Sequence, residues 1–430
     1  MKVKLRKNQL AQVVLNSGLW DEGRDKTHAF VLSPQVHEFS VEQAQRLSSL
    51  GIHICKCLEG VGRIAAIGAN KGLTYGQKWR FVNRLLQSGV PEWYTNLFAI
   101  NPAAIPALLK VDFVEDRNGL HHVVEIDGHN THGLGYQELF ARMRRLTHPG
   151  ATGFPGVAPF LAELISTRGG GRAAFVFADE ERFYRPEFEI LRASLHNLGV
   201  DLAVVQEAET EISETGLTAG GQELPPLLLN FPVMHHNQPV KTKLMELYGT
   251  GKIDFIIPPK PFHGSKNILG LLRNEEQDGE IESILRSQIP AESLGAVRAC
   301  IPETHLVGNR HERDYWQDLQ NQGGYVLKKA ISSGMKGTLF QGDDGFDQAF
   351  DKACAAHGDY VLQRQVLHSR TVSYFDCGGG KETVAQSECY LRIIVHFAAF
   401  SGVADACITA KETRAVNGGK ESKMFGSIVV

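Results

Sequence analysis

The chain of 430 residues lacks the marks of several function classes. Net charge is nearly absent: 45 Lys+Arg against 48 Asp+Glu leave −3, which offers no global electrostatic footprint for nucleic acid or an anionic membrane. Cysteine is sparse, seven residues at 55, 57, 300, 354, 377, 389 and 407. An odd, scattered set argues against a secreted disulfide framework, and Cys55-Lys56-Cys57 lacks the two-residue spacer of a zinc knuckle. No segment reaches the ~18 apolar residues of a membrane span. The N-terminal stretch MKVKLRKNQLAQVVLNSGLW has basic residues but no long apolar run to follow them. Internal repeats and low-complexity tracts are missing too. These absences predict a cytoplasmic globular protein with neither nucleic acid nor membrane as partner, and they are compatible with a homo-oligomer.

What is present is ordinary bulk with one excess. The length predicts two or three domains at roughly 100–200 residues each, and 43% hydrophobic with 22% charged residues suits a globular chain. Glycine is high, 44 residues, about a tenth against a usual ~7%. Either tight turns are many, or glycines line a site where backbone approaches a ligand.

Along the chain, residues 1–105 read as mostly helical, with SVEQAQRLSSLGIHICKCL and GQKWRFVNRLLQSG carrying apolar residues at three- and four-residue steps. The run GGG at 169–171 is not followed by Gly-Lys-Ser/Thr, so it is no Walker loop, and it reads as a linker. Beyond it the pattern alternates: strand 173–177, helix 185–198, strand 200–205, strand 227–231, helix 240–248, strand 253–257. That predicts an open α/β domain over about 172–262. From Tyr325 onward, YVLKKA, GTLF, a helix near 346–357, YVLQRQV, CYLRIIVHF and VADACITA predict an antiparallel α+β region.

The most informative stretch is LLKVDFVEDRNGLHHVVEIDGHNTHG. Asn118-Gly119 is the preferred pair for a two-residue type I′ turn, which pairs Arg117 with Leu120, Val114 with Val123, Asp112 with Glu125 and Lys110 with Asp127. Lys110, Asp112, Glu125 and Asp127 then share one face, and Val111, Phe113, Val124 and Ile126 the other. Opposed carboxylates repel, so Asp112 beside Glu125 needs cations. A plain ion-pair network with lysines is one solution. A hard divalent ion is the other: Mg²⁺ takes one or two carboxylates and completes its shell with water and phosphate oxygens.

Two segments carry residues suited to a triphosphate. In YVLKKAISSGMKGTLF, Lys328 lies in a strand ahead of a small-residue loop, Ser333-Gly334-Met335-Lys336-Gly337, able to bring N–H groups onto phosphates, though a Gly turn between strands is commonly a hairpin. In PPKPFHGSKNILGLLRN, Lys266 opens an apparent helix. Gln363 and Arg364 lie in YVLQRQV, a strand able to offer backbone to an adenine edge. Arg392 alternates with apolar residues inside CYLRIIVHF and calls for an anionic partner. Arg414 precedes a Gly-Gly turn.

Together these segments resemble the ATP-grasp ligases, with their order rearranged. YVLKKAISSGMKG, YVLQRQV, CYLRIIVHF and ETRAVNGGK keep the usual order, while the acid pair lies near residue 112, as circular permutation would place it. The arrangement looks like glutathionylspermidine synthetase without its amidase domain. The resemblance implies a permuted ATP-grasp core, formed by the hairpin at 106–150 and nucleotide-binding subdomains at 263–430, with the α/β region as a Rossmann-like pre-ATP-grasp domain. It also implies roles. Asp112, Glu125 and Asp127 would hold Mg²⁺, two ions in all; Lys266, Lys328, Gln363 and Arg364 would contact ATP; Ser333, Gly334, Lys336 and Gly337 would form the lid. Lys110, Arg392 and Arg414 would stabilise the transferring phosphoryl group. Asp127 stands where the family has Asn, and Lys110 where the glutathionylspermidine group has Arg, which forgoes bidentate phosphate contact.

The implied activity is an ADP-forming ligase joining a small-molecule carboxylate to an amine or thiol through an acyl phosphate, with metal, Lys and Arg neutralising charge. HNTHG (129–133) and MHH (234–236) are candidates for the acceptor side. The alternatives are a phosphotransferase and a catalytically silent nucleotide- or partner-binding protein.

Overall fold

The period-two runs near residue 110 and beyond residue 383 become neighbouring strands of one sheet. In the computed structural model, Leu108–Glu115 and His121–Asp127 pair antiparallel, and the first of them pairs on its other edge with the long strand Thr383–Ala398. Gly402–Lys411 and Lys423–Val429 follow in antiparallel order, and Val31–Leu32 closes the far edge in parallel. Ser369–Asp376 folds onto the outer length of Thr383–Ala398, and His37–Phe39 adds to Lys423–Val429, giving eight strands. The residues described are 4–18, 30–69, 77–90, 99–129, 132–232, 238–273, 279–308, 313–332, 335, 337–356, 358–376, 383–418 and 421–430. Ser333, Gly334, Lys336, Gly419 and the MHH run therefore lie outside them.

One face of this sheet is the main core. Val111, Phe113, Ile393, Val395 and Phe397 alternate along paired strands and are fully buried, each large side chain contributing roughly 1.5–3 kcal/mol of burial. The 29-residue helix Val41–Ala69 packs there. Its glycines account for part of the glycine excess in a way that neither turns nor ligand loops anticipate. A Cβ at Gly51 would lie 2.2 Å from the Phe397 ring, and one at Gly62 2.2 Å from the Pro102 carbonyl oxygen. Small residues let the helix sit directly on the sheet. Gly51→Val should therefore overpack this contact and destabilise the protein by roughly 1–3 kcal/mol or more, read as a lower denaturation midpoint.

The expected helices of the N-terminal region form, at Lys4–Asn16, Val41–Ala69 and Gln77–Gln87. The expectation of a mostly helical segment needs one correction: Val31–Leu32 and His37–Phe39 are strands of the main sheet, because Phe30, Leu32 and Phe39 bury their side chains there.

The alternating region forms a four-stranded parallel sheet in the order Asp254–Phe255, Leu227–Asn230, Arg172–Phe177, Asp201–Gln206. Helices Val157–Gly169 and Arg185–His196 pack against its apolar strands. The glycine run is no linker. Gly170 is the left-handed C-cap of Val157–Gly169 and Gly171 keeps a positive φ, so the chain turns at once into the strand, the common use of glycine past a helix end.

A third sheet, all antiparallel, runs Thr304–Leu306, Tyr360–Arg364, Tyr325–Lys329, Thr338–Phe340. Leu327 and Leu362 pack on Phe346 and Phe350 of helix Phe346–Ala355, leaving Lys328 and Gln363 on the opposite face. Among the described residues no helix is long and apolar enough to cross a membrane.

Candidate active site

The hairpin holds its acids through two irregularities that cancel. The turn is not the expected two-residue loop: Asp116 donates its N–H to the Leu120 carbonyl (2.9 Å), and its Oδ1 accepts from the Asn118 and Leu120 amides at 2.8 and 3.0 Å. Three residues thus form the loop, with Gly119 at φ 77°, the three-residue class that ends in a left-handed glycine. This shifts the register by one: Val114 opposes His122 rather than Val123, and Glu115 opposes His121. A bulge at Val124 then restores it, so that Asp112 opposes Glu125 and Lys110 opposes Asp127, as expected. The bulge also corrects one face assignment. Val123 takes the core position, fully buried, while Val124 joins Asp112 and Glu125 along a cleft, as a bulge re-aims a side chain.

The cleft lies between the main sheet and the third sheet. Asp112, Glu125, Arg392 and Arg414 line it from one side, Lys328, Gln363 and Arg364 from the other, and Lys266 from the start of the short helix Asn267–Leu272. Its cavity volume is about 120 Å³, below the ~300–1,000 Å³ of typical small-molecule sites, so the two sheets must part to admit a nucleotide. Asp112 and Arg414, about 300 positions apart in sequence, thereby share one wall.

Charges alternate through this cluster. Lys266 Nζ lies 3.1 Å from Glu125 Oε1 and donates to the Ser332 carbonyl at 3.1 Å. Lys328 Nζ donates to the carbonyl of the bulged Val124 (3.0 Å) and to Gln363 Oε1 (2.7 Å), and Gln363 in turn donates to Thr304. Arg392 Nη1 stands 3.3 Å from Asp112 Oδ2. Burial lowers the Lys328 ammonium to about 8, partly opposed by Glu125. Glu125 is held below the usual carboxylate range: burial pushes the other way, but Lys266 and Lys110 outweigh it. Asp112 is 2% exposed, yet neither carboxylate oxygen has a hydrogen-bond partner. A buried charge of this kind is costly unless something completes its shell.

The remaining candidates fall at the edges. Lys110 and Asp127 do not line the cleft. They bond to each other at 3.2 Å, with His129 Nδ1 3.4 Å from the second Asp127 oxygen. Burial opposes the Lys110 charge, but Asp112, Asp127 and Glu125 outweigh it and hold its pKa above the ordinary lysine value. Arg414 is ion-paired with Asp343 and lies over the Phe340 ring at the cleft rim. Arg364 pairs with Glu303 and stacks on Tyr325, 4.4 Å from the ring centroid. Gly337 holds φ 73° directly after the loop, and Met335 reaches the cleft. Of HNTHG, His132 bonds Glu181 and stacks on Tyr184.

Sequence reasoning missed Glu187. In PEFEILRAS it reads as a polar position of an amphipathic helix, but it is fully buried and accepts the amides of Gly133 and Gly135 at the start of helix Leu134–Thr147. Burial raises its carboxyl to about 7, against the pull of His132 and those amides. Between about pH 4.5 and 7 the native state therefore binds more protons than the unfolded chain, and stability falls as pH rises through that window. Glu187→Gln keeps an acceptor for the amides without the buried charge. It should stabilise the protein by roughly 1–3 kcal/mol at pH 8 and by nothing near pH 4.5, measured by denaturant melts at both values.

No family model matches the chain, and no curated protein matches it. Among solved structures it is similar to a glutathione synthetase-like effector from Globodera pallida in its apo form. The TM-score is 0.63 at 11% identity, with 99% of this chain and 96% of that chain covered. It also aligns with a putative gamma-glutamylcysteine synthetase from Methylobacillus flagellatus KT (TM-score 0.43, 11% identity, 80% and 85% covered). A D-alanyl-alanine synthetase A from Vibrio cholerae aligns over 51% of this chain and 67% of that one (TM-score 0.27, 12% identity). The first likeness shows a shared mixed α+β fold; the other two scores are too low to bear on it.

Proposed function

We propose that the chain is an ATP-dependent, ADP-forming ligase that joins a carboxylate to an amine or thiol, on an ATP-grasp core whose acid hairpin precedes its nucleotide-binding strands in sequence. One observation carries this reading: Asp112, 2% exposed and without a hydrogen-bond partner on either oxygen, faces a cleft shared with Glu125, Lys266, Lys328 and Arg392. Five cationic residues line the cleft (Lys266, Lys328, Arg364, Arg392, Arg414) against three anionic ones (Asp112, Glu115, Glu125). That balance suits an anion carried with a divalent cation. The shared fold with a glutathione synthetase-like effector supports it.

Asp112, whose two oxygens lack a hydrogen-bond partner, would hold Mg²⁺ together with Glu125; bound there, the ion would supply charge neutralisation to the phosphates. Lys266 and Lys328 would contact phosphate oxygens, exchanging their present carbonyl and carboxylate partners for them. Val326, Phe340 and Leu391 offer apolar wall to a purine. Arg392 would stabilise charge as a substrate carboxylate oxygen attacks the γ-phosphorus and the bond to the bridging oxygen breaks, releasing ADP. An amine or thiol then displaces phosphate from the acyl carbon. The assay is ADP release from Mg·ATP with pools of acids and amines, alongside trapping by hydroxylamine. ADP with hydroxamate is expected; ADP alone points to a phosphotransferase or ATPase. A melting temperature unmoved by Mg·ATP would remove the nucleotide reading altogether.

One observation favours a second reading, a nucleotide-binding protein without turnover. Lys110 and Asp127 neutralise each other away from the cleft lining, so the phosphoryl contact that the resemblance gives Lys110 needs that pair to open. Mg·ATP binding with no ADP formed is the outcome this reading expects.

A further inference from the structure

We infer that His37, Glu115 and His121 form a second metal site, for a borderline divalent cation such as Zn²⁺, at the turn end of the hairpin. Three chain segments meet there. The shifted register sets Glu115 directly opposite His121, and the strand His37–Phe39 brings in the third side chain from the N-terminal region. One donor atom from each of the three lies within 4.8 Å of the others. Glu115 sits three residues along its strand from Asp112, about 10 Å at ~3.3 Å per residue, so this is not the acid pair of the cleft.

Burial makes the cluster more than a surface coincidence. Glu115 is 5% and His37 8% exposed. Glu115 Oε2 and His121 Nε2 are both buried without a hydrogen-bond partner, which is costly in a polar group sealed from water. Arg370 donates to the other Glu115 oxygen, Oε1. It orients the carboxylate and leaves Oε2 for a ligand role, as hydrogen bonds around metal sites do. The guanidinium also acts on both imidazoles and, with burial, keeps them neutral. Phe39 packs on both rings, at 4.6 Å from His37 and 5.7 Å from His121, with Phe113 6.3 Å from His121. Burial lowers His37 to about 3 and His121 to about 4, so both rings keep a free lone pair near neutrality.

The donor set chooses the ion. Two imidazoles and one carboxylate suit Zn²⁺, whereas Mg²⁺ and Ca²⁺ prefer oxygen throughout. Donors around tetrahedral zinc stand about 3.4 Å apart for bonds of ~2.0–2.1 Å, so binding draws the three side chains inward by about an ångström, with water as the fourth ligand. The ion would tie the N-terminal strand to the hairpin.

The test begins with chelator-treated full-length protein and competitive titration with Zn²⁺. Wild type is expected to bind one ion per chain without using Asp112 or Glu125, and zinc to raise its melting temperature. Glu115→Gln and His121→Ala should weaken that binding at least about 10²-fold and abolish the rise. Asp112→Asn and Glu125→Gln should retain both. Undiminished zinc binding in His121→Ala, or its loss in Asp112→Asn, would overturn the assignment. Should His121→Ala fail to fold, Co²⁺ on wild type decides: tetrahedral visible absorption supports the site, and its absence overturns it.

Discussion

Asp112→Asn is expected to cut ADP formation from Mg·ATP by at least about 10²–10³-fold without lowering the melting temperature of the nucleotide-free protein. Both halves follow from one geometry. Asp112 is held by pairing with Ile394 on one side and Glu125 on the other, so the substitution leaves the ladder intact. The side chain keeps its size and loses its charge. Its oxygens have no hydrogen-bond partner and one guanidinium at 3.3 Å, so removing the carboxylate relieves a desolvation cost while it takes away the proposed cation ligand. Lost turnover with preserved stability is the pattern of a residue kept for function. A variant that melts well below wild type would instead make Asp112 a structural partner of Arg392, and one with full activity would dismiss the metal role.

Lys328→Met should raise the dissociation constant for Mg·ATP by about 30-fold or more. Truncating one member of a buried charged contact typically costs ~2–5 kcal/mol, and tenfold is ~1.4 kcal/mol. Among the described residues Lys328 has no closer acceptors than a carbonyl and an amide oxygen, Val124 O and Gln363 Oε1, so its charge is available to an incoming phosphate. Burial has already lowered its pKa to about 8, and an anion beside it would raise it again. The neighbouring Lys329 is exposed on the other face of the strand, and Lys329→Met is expected to change affinity less than about twofold by the same alternation. Calorimetric titration of both variants checks this. Equal losses would mean that Mg·ATP binds elsewhere or senses only overall charge.

The parts of the site legible in the sequence were those governed by strand alternation. Asn118-Gly119 marked the turn, and alternation placed Asp112 opposite Glu125 and Lys110 opposite Asp127. The three-residue turn and the Val124 bulge were not legible, because two one-residue shifts of opposite sign leave the far end of the ladder unchanged. Yet the bulge aims the Val124 carbonyl at Lys328, and the shift sets Glu115 against His121. Arg392 was legible as a charge inside an apolar strand, and Asp112 lies 3.3 Å from it. The pairing of Leu108–Glu115 with Thr383–Ala398 carries no local signal, and only the family resemblance suggested it. Glu187 was invisible for a similar reason: its burial depends on Gly133 and Gly135, some fifty residues away. The GGG run misled because a helix cap and a linker share one composition, and the packing role of Gly51 was not legible because close helix packing needs no turn.

The most direct test of the cleft is a crystal structure with Mn²⁺ and a non-hydrolysable ATP analogue. The expected result is an anomalous manganese peak bonded to Asp112 and Glu125, with the triphosphate reaching Lys266 and Lys328. Manganese or nucleotide bound away from these four side chains would contradict it.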